Sequence, residues 1–200
     1  MQNRIRAWCS LFLSAIFFIT VLMEYIPTPQ DIIEFTFLAN FGISILLLLT
    51  ALKLFRNRKA FPNIAYHISL VMIMLVFIIC LIGLSGIYQI HFEGEFFFLH
   101  VVNPVLFLCY NVIFVEKISH WKSLLFIPVW VIFYLLLDVI YGAIRGKFIY
   151  NLHETGTLNL IKLAGAVILS YSFVLLTGLL SLLLHSFLRT IYLRTVRNYK

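Results

Sequence analysis

Apolar runs about twenty residues long, broken by short polar stretches, are the dominant pattern of the chain. At 1.5 Å of rise per residue, a helix of about 20 apolar residues crosses the hydrocarbon of a bilayer. Six such runs are read, at about 7–26, 33–55, 64–88, 96–115, 123–143 and 159–187. The breaks carry turn and charge signals: Pro27-Thr28-Pro29 closes the first run and the basic stretch Arg56-Asn57-Arg58-Lys59 follows the second. The last run exceeds what a bilayer needs and is expected to tilt or project. The breaks are short except at 144–158, so neighbouring helices are expected to run antiparallel. No polar stretch is long enough for a second domain or a linker. The expected fold is therefore all-α, a single polytopic bundle of six transmembrane helices over residues 1–200. The first run, headed by Arg4 and Arg6, looks like a signal peptide but lacks a small-residue cleavage site and leads into another span, so it reads as an uncleaved anchor.

Composition makes the membrane class firm. Of the 200 residues 62% are hydrophobic and 12% charged, where a soluble domain has about half and about a quarter. Charge then assigns orientation. In the six-run scheme all of the 15 Lys and Arg residues except Arg145, Lys147 and Lys162 fall on one side, so both termini are expected to be cytoplasmic. Most acids, namely Glu24, Asp31, Glu34, Glu93, Glu95 and Glu154, lie on or near the other side. The net charge of +7 reads as the signature of that orientation, with attraction to anionic lipid heads. It is not a nucleic-acid signal, because no RNA or DNA motif, phosphate loop or Rossmann glycine pattern accompanies it. Membrane lipids are the expected partners.

Cys9, Cys80 and Cys109 form no C-x-x-C pair, so neither a disulfide framework nor a zinc site is indicated. The six histidines divide between the two ends of the bundle: His67, His120 and His185 on the cytoplasmic half, His91, His100 and His153 on the outer half. No metal site and no cofactor is expected from this distribution.

Polar residues inside the runs are few and patterned. In the fourth run, Asn103, Tyr110 and Asn111 lie three, ten and eleven residues after His100, each close to a whole number of helical turns, which puts them on one helical face. A helix facing only lipid gains nothing from such a stripe, so an inward seam is expected. In the second run Thr36, Asn40 and Ser44 share a face in the same way; Ser44 is read as bonding its own backbone or a neighbour. Thr36 and His100 lie at one depth, near the outer ends of two helices whose N-termini, with their unpaired N–H groups, point to the same surface. A hydroxyl, an imidazole and oriented donors at one level are what acyl transfer needs. Asp138 sits in a stripe with Tyr134, Tyr141 and Arg145, about level with His100. It is either a structural acid bonded to tyrosine or arginine, or a group that orients His100.

These residues resemble a known family. Phe35-Thr36-Phe37-Leu38-Ala39-Asn40 resembles the F-T-x-x-x-N opening of the second helix in bacterial six-pass relatives of the androgen-induced and androgen-dependent membrane proteins. Ser85-Gly86-Ile87-Tyr88 resembles the T-G-x-x-Y that closes their third helix, and Leu99-His100-Val101-Val102-Asn103-Pro104 their L-H-x-x-x-P. Pro128, Tyr134 and the Arg145-Gly146 region fall where the P…Y…R-G pattern of their fifth helix would lie. Animal members are threonine hydrolases of fatty acid esters of hydroxy fatty acids. The resemblance implies an enzyme of the bacterial cell membrane, with Thr36 and His100 as catalytic nucleophile and base and a lipid ester as substrate. Asn40 and Asn103, one turn further in, would line the pocket or assist the oxyanion. The chain departs from the pattern where relatives have Y-P-Y-P-F: it reads Phe148-Ile149-Tyr150-Asn151-Leu152, without the prolines. Asp138 matches no motif. The alternative class is a non-enzymatic membrane protein, a lipid-binding scaffold or small carrier whose polar seam serves packing or passage.

Overall fold

The computed structural model describes residues 2–27, 29, 32, 34–83, 94–117, 127–145 and 160–198. Every element among them is helical: α1 (Gln2–Tyr25), α2 (Phe35–Phe55), α3 (Asn63–Gly83), α4 (Gly94–Phe114, with a π turn at Phe98–Val102), α5 (Ile127–Arg145) and α6 (Leu160–Asn198). Five of these helices are long and apolar enough to cross a membrane: α1, α2, α3 as far as Leu81, α4, and Tyr171–Asn198 of α6. That architecture is consistent with a polytopic membrane protein. The apolar pattern of the last run ends near 187, yet α6 continues to Asn198. Its final turns contain no Gly or Pro to stop them and carry Arg189, Arg194 and Arg197.

The chain divides into two compact units, residues 1–119 with 181–200, and residues 120–180. In the first, α1 and α2 make the most extensive helix pair. The reason is a repeat of three and four. Ala7, Ser10, Ser14, Phe17 and Val21 are buried on α1, and Ala39, Ile43, Leu47, Ala51 and Leu54 on α2. Small side chains in these rows let the backbones approach, and Ser14 Oγ donates to the Ser44 carbonyl at 2.7 Å. The opposite face of α1 exposes Trp8, Phe12, Ile19 and Met23, which suits lipid. α3 packs on α2 and α4 and is buried nearly all round at Tyr66, Leu70, Val71, Ile73 and Met74.

The polar stripe of α4 is the inward seam the periodicity predicts: Asn103, Tyr110 and Asn111 are buried. Tyr110 meets α1 through its hydroxyl, which lies 2.9 Å from Ser10 Oγ and accepts from Arg6 Nε at 3.2 Å. The Asn111 carbonyl accepts from His185 Nε2 at 3.2 Å. In the second unit, α5 buries Val131 and Tyr134 and exposes Trp130, Phe133, Leu137, Ile140 and Ile144. Asp138 lies in α5, but its side chain is outside the described residues, as are Ser85-Gly86-Ile87-Tyr88, His91, His120, His153 and the 148–152 loop.

A threonine–histidine pair at the heads of two helices

Thr36 is the second residue of α2. Glu34 before the helix is extended (φ −63°, ψ 146°), and the first helical bond runs from Leu38 N–H to the Glu34 carbonyl at 3.1 Å. The N–H groups of Thr36 and Phe37 therefore have no acceptor within the helix. Tyr25 at the end of α1 donates its hydroxyl to Glu34 Oε2 at 3.0 Å, which ties the head of α2 to its neighbour.

His100 stands in the π turn of α4, and Pro104 accounts for that turn. Proline has no N–H, and in an α-helix its ring clashes with the carbonyl four residues back, here that of His100. Widening the turn relieves the clash, and Asn103 N–H bonds the Phe98 carbonyl five residues back. In that register the Leu99 carbonyl would take its proton from residue 104, which has none to give. Asn40 Nδ2 of α2 supplies it from 3.4 Å. A break in one helix is thus repaired by a side chain of the next, and the repair fixes the height of α2 against α4.

The result is a contact between the two candidate residues: Thr36 Oγ1 lies 3.4 Å from His100 Nε2. The other ring nitrogen decides the polarity of that contact. His100 Nδ1 lies 2.9 Å from the Phe96 carbonyl, which can only accept, so Nδ1 carries the proton. In the neutral ring Nε2 then presents its lone pair to the threonine hydroxyl. The imidazole is stacked on the Phe96 ring, with centroids 3.9 Å apart and planes 21° from parallel, so ring and tautomer are both held by one residue. Thr36 is 8% exposed and His100 partly buried.

Asn40 and Asn103 sit directly behind the pair, both wholly buried. Asn40 Nδ2 donates to the Thr36 carbonyl at 2.9 Å as well as to Leu99. Asn103 Nδ2 donates to Asn40 Oδ1 at 2.9 Å and to Thr20 Oγ1 at 3.0 Å. Thr20 can accept because its own proton goes to the Phe17 carbonyl at 3.0 Å. The amide protons of both asparagines are thereby engaged in holding three helices together. The arrangement suits orienting the pair and leaves neither amide free to bind an oxyanion.

Of the residues singled out from sequence, Thr36, His100, Asn40 and Asn103 come together. Ser44 points its hydroxyl to the Phe41 carbonyl at 2.7 Å, the local bond expected of it. Phe96 and Thr20 are members that the sequence reading missed. Phe96 was findable, because it stands four residues before His100 on the same helical face. Thr20 shares α1 with the hydroxyls of Ser10 and Ser14, and nothing in the sequence set it apart from them. Among the described residues no three His, Cys, Asp or Glu side chains cluster as a metal site. No family model, characterised protein or solved structure matches the chain.

Proposed function

We propose that the chain is an intramembrane ester hydrolase acting on an acyl lipid, with Thr36 as nucleophile and His100 as general base. The observation that carries this reading is the approach of His100 Nε2 to the Thr36 hydroxyl at 3.4 Å, with Nδ1 of the same ring on the Phe96 carbonyl. The distance is long for an O–H···N bond, and catalytic pairs tighten when substrate excludes water.

The steps follow from those positions. Thr36 Oγ1 attacks the ester carbonyl carbon while its proton passes to His100 Nε2. Negative charge develops on the carbonyl oxygen, and the free N–H groups of Thr36 and Phe37, at the positive end of the α2 dipole, suit its stabilisation. When the ester C–O bond breaks, the proton moves from Nε2 to the departing alkoxide and the acyl group stays on Thr36. A water molecule then gives its proton to Nε2 and attacks the acyl-threonine, releasing the fatty acid and regenerating the hydroxyl. Asn40 and Asn103 position the two helices and hence the pair. The wider reading has six spans, with α5 as the fifth, both termini cytoplasmic and the pair near the outer surface of a bacterial cell membrane. The basic asymmetry and the motif order support it.

The test is ester turnover by purified protein in liposomes, with each variant's fold checked by its unfolding transition. Wild type should hydrolyse a fatty acid ester of a hydroxy fatty acid, and Thr36→Ala should not. Full turnover in folded Thr36→Ala removes the nucleophile from the mechanism. A scaffold or carrier gives no turnover in any variant and no labelling of Thr36 by a fluorophosphonate probe.

A further inference from the structure

At the far end of α1 and α2 from Thr36, about 30 Å along a helix of this length, the basic residues have no functional role in the hydrolase reading. α2 ends in a tight cap. Arg58 N–H bonds the Lys53 carbonyl at 2.8 Å, Asn57 N–H bonds the Leu54 carbonyl at 3.0 Å, and Asn57 takes the left-handed conformation at φ 54°. This is the Schellman arrangement, with Asn as one of the few residues that tolerate that conformation. It has two consequences. The Lys53 and Leu54 carbonyls near the end of α2 are satisfied, and the chain turns so that Arg58 and Lys59 line one cavity with Asn3 and Arg6 of α1. That cavity, of about 240 Å³, is lined by Asn3, Arg6, Leu54, Asn57, Arg58 and Lys59. With water occupying about 30 Å³ each, it has room for a phosphate group and its hydration.

Arg6 lines this cavity and is built in place. Its Nε donates to Tyr110 at 3.2 Å, and its guanidinium lies 5.1 Å from the Tyr66 ring centroid and 5.9 Å from that of Tyr110. The tyrosines are fixed in turn: Tyr66 OH meets Thr50 Oγ1 at 2.7 Å and Tyr110 OH meets Ser10 Oγ at 2.9 Å. Yet Arg6 Nη2 is buried with no hydrogen-bond partner among the described residues. A buried guanidinium nitrogen left unpaired is costly, and among the described residues no carboxylate lines the cavity to offset Arg6, Arg58 and Lys59.

We propose that this cavity is a binding site for one phosphate-bearing anion, held by Arg6 from within and by Arg58 and Lys59 at its rim. The anion is a phospholipid headgroup or free phosphate, and the site is separate from the Thr36–His100 pair, so either can fail without the other.

The test uses the full-length protein purified in neutral detergent and native mass spectrometry titrations with dihexanoyl phosphatidylglycerol, dihexanoyl phosphatidylcholine and inorganic phosphate. Saturable binding of one phosphatidylglycerol is expected, weakened about thirtyfold in Arg58→Gln/Lys59→Gln, since each basic residue near a membrane surface contributes about fivefold. Both residues are exposed, so this variant should fold. Arg194→Gln/Arg197→Gln removes two exposed charges from the end of α6 and should bind as wild type. If inorganic phosphate binds with the same dependence on Arg58 and Lys59, the free anion is the source; if only the lipid does, it is the headgroup. Arg6→Gln, where its unfolding transition shows it folded, should abolish binding. Absence of binding, equal binding of phosphatidylcholine, or equal loss in the two double variants overturns the proposal, the last because it would mean diffuse attraction to basic surface.

Discussion

Replacing Asn40 by leucine tests the helix repair that sets the candidate site. Leucine has the same branched arrangement of side-chain heavy atoms as asparagine with bulkier ends, so the substitution removes polar contacts without opening a cavity. In the wild type Asn40 donates to the Thr36 and Leu99 carbonyls and accepts from Asn103. Thr36 keeps a partner after the change, because its carbonyl still receives the N–H of residue 40 along α2. The Leu99 carbonyl does not, since Pro104 has no N–H, and one Asn103 amide proton is also stranded. Two buried groups thus lose their partners. Interhelical hydrogen bonds in membrane proteins contribute about 0.6 kcal/mol on average and about 1.7 kcal/mol at most. Asn40→Leu should therefore destabilise the protein by about 1–3 kcal/mol, read from denaturant unfolding in detergent micelles. Asn103→Leu alone should cost a similar amount, and the two changes together less than their sum, with a coupling of about 0.5–2 kcal/mol for the shared bond. An Asn40→Leu protein as stable as wild type, or strictly additive changes, would refute the claim that this network fixes α2 against α4.

Four further outcomes are expected. Thr36→Ala and His100→Ala should each lower ester turnover by about 10²–10⁴-fold, and the double variant no further, because both act in one step; additive losses would separate them. Pro104→Ala restores an N–H and lets the π turn relax towards α-helix, so turnover should fall by about a hundredfold in a folded protein as His100 moves off Thr36; unchanged turnover would show that the π turn does not set the pair. Ser44→Ala should leave turnover within about twofold, since a hydroxyl bonded to its own helix backbone contributes little; a large loss in the same assay would extend the site down α2. Tags on both termini should be cytoplasmic and a tag in the 144–158 loop external; an external C-terminal tag by protease protection would reverse the orientation.

The lengths of the apolar runs and the periodicity of their polar exceptions were enough to place α1 to α4 and to pick out Thr36, Asn40, His100 and Asn103, because both are properties of a single helix. A run of about twenty apolar residues can hardly be anything but a span, and residues three and four apart must share a face. What one helix cannot specify is its height and rotation against another. Those came from tertiary contacts: the Leu99 carbonyl orphaned by Pro104 and met by Asn40, Thr20 reached from Asn103, and Tyr110 bridging to Arg6 and Ser10. The π turn itself was invisible, since a proline inside an apolar run is equally compatible with a kink. The same holds for the tautomer of His100, which depends on whether the ring turns back to the Phe96 carbonyl or outward. The basic run after α2 was legible as charge, and only the left-handed Asn57 cap and the placement of Arg6 between two tyrosines gave it a shape. Sequence determined which residues face inward; packing decided which of them meet.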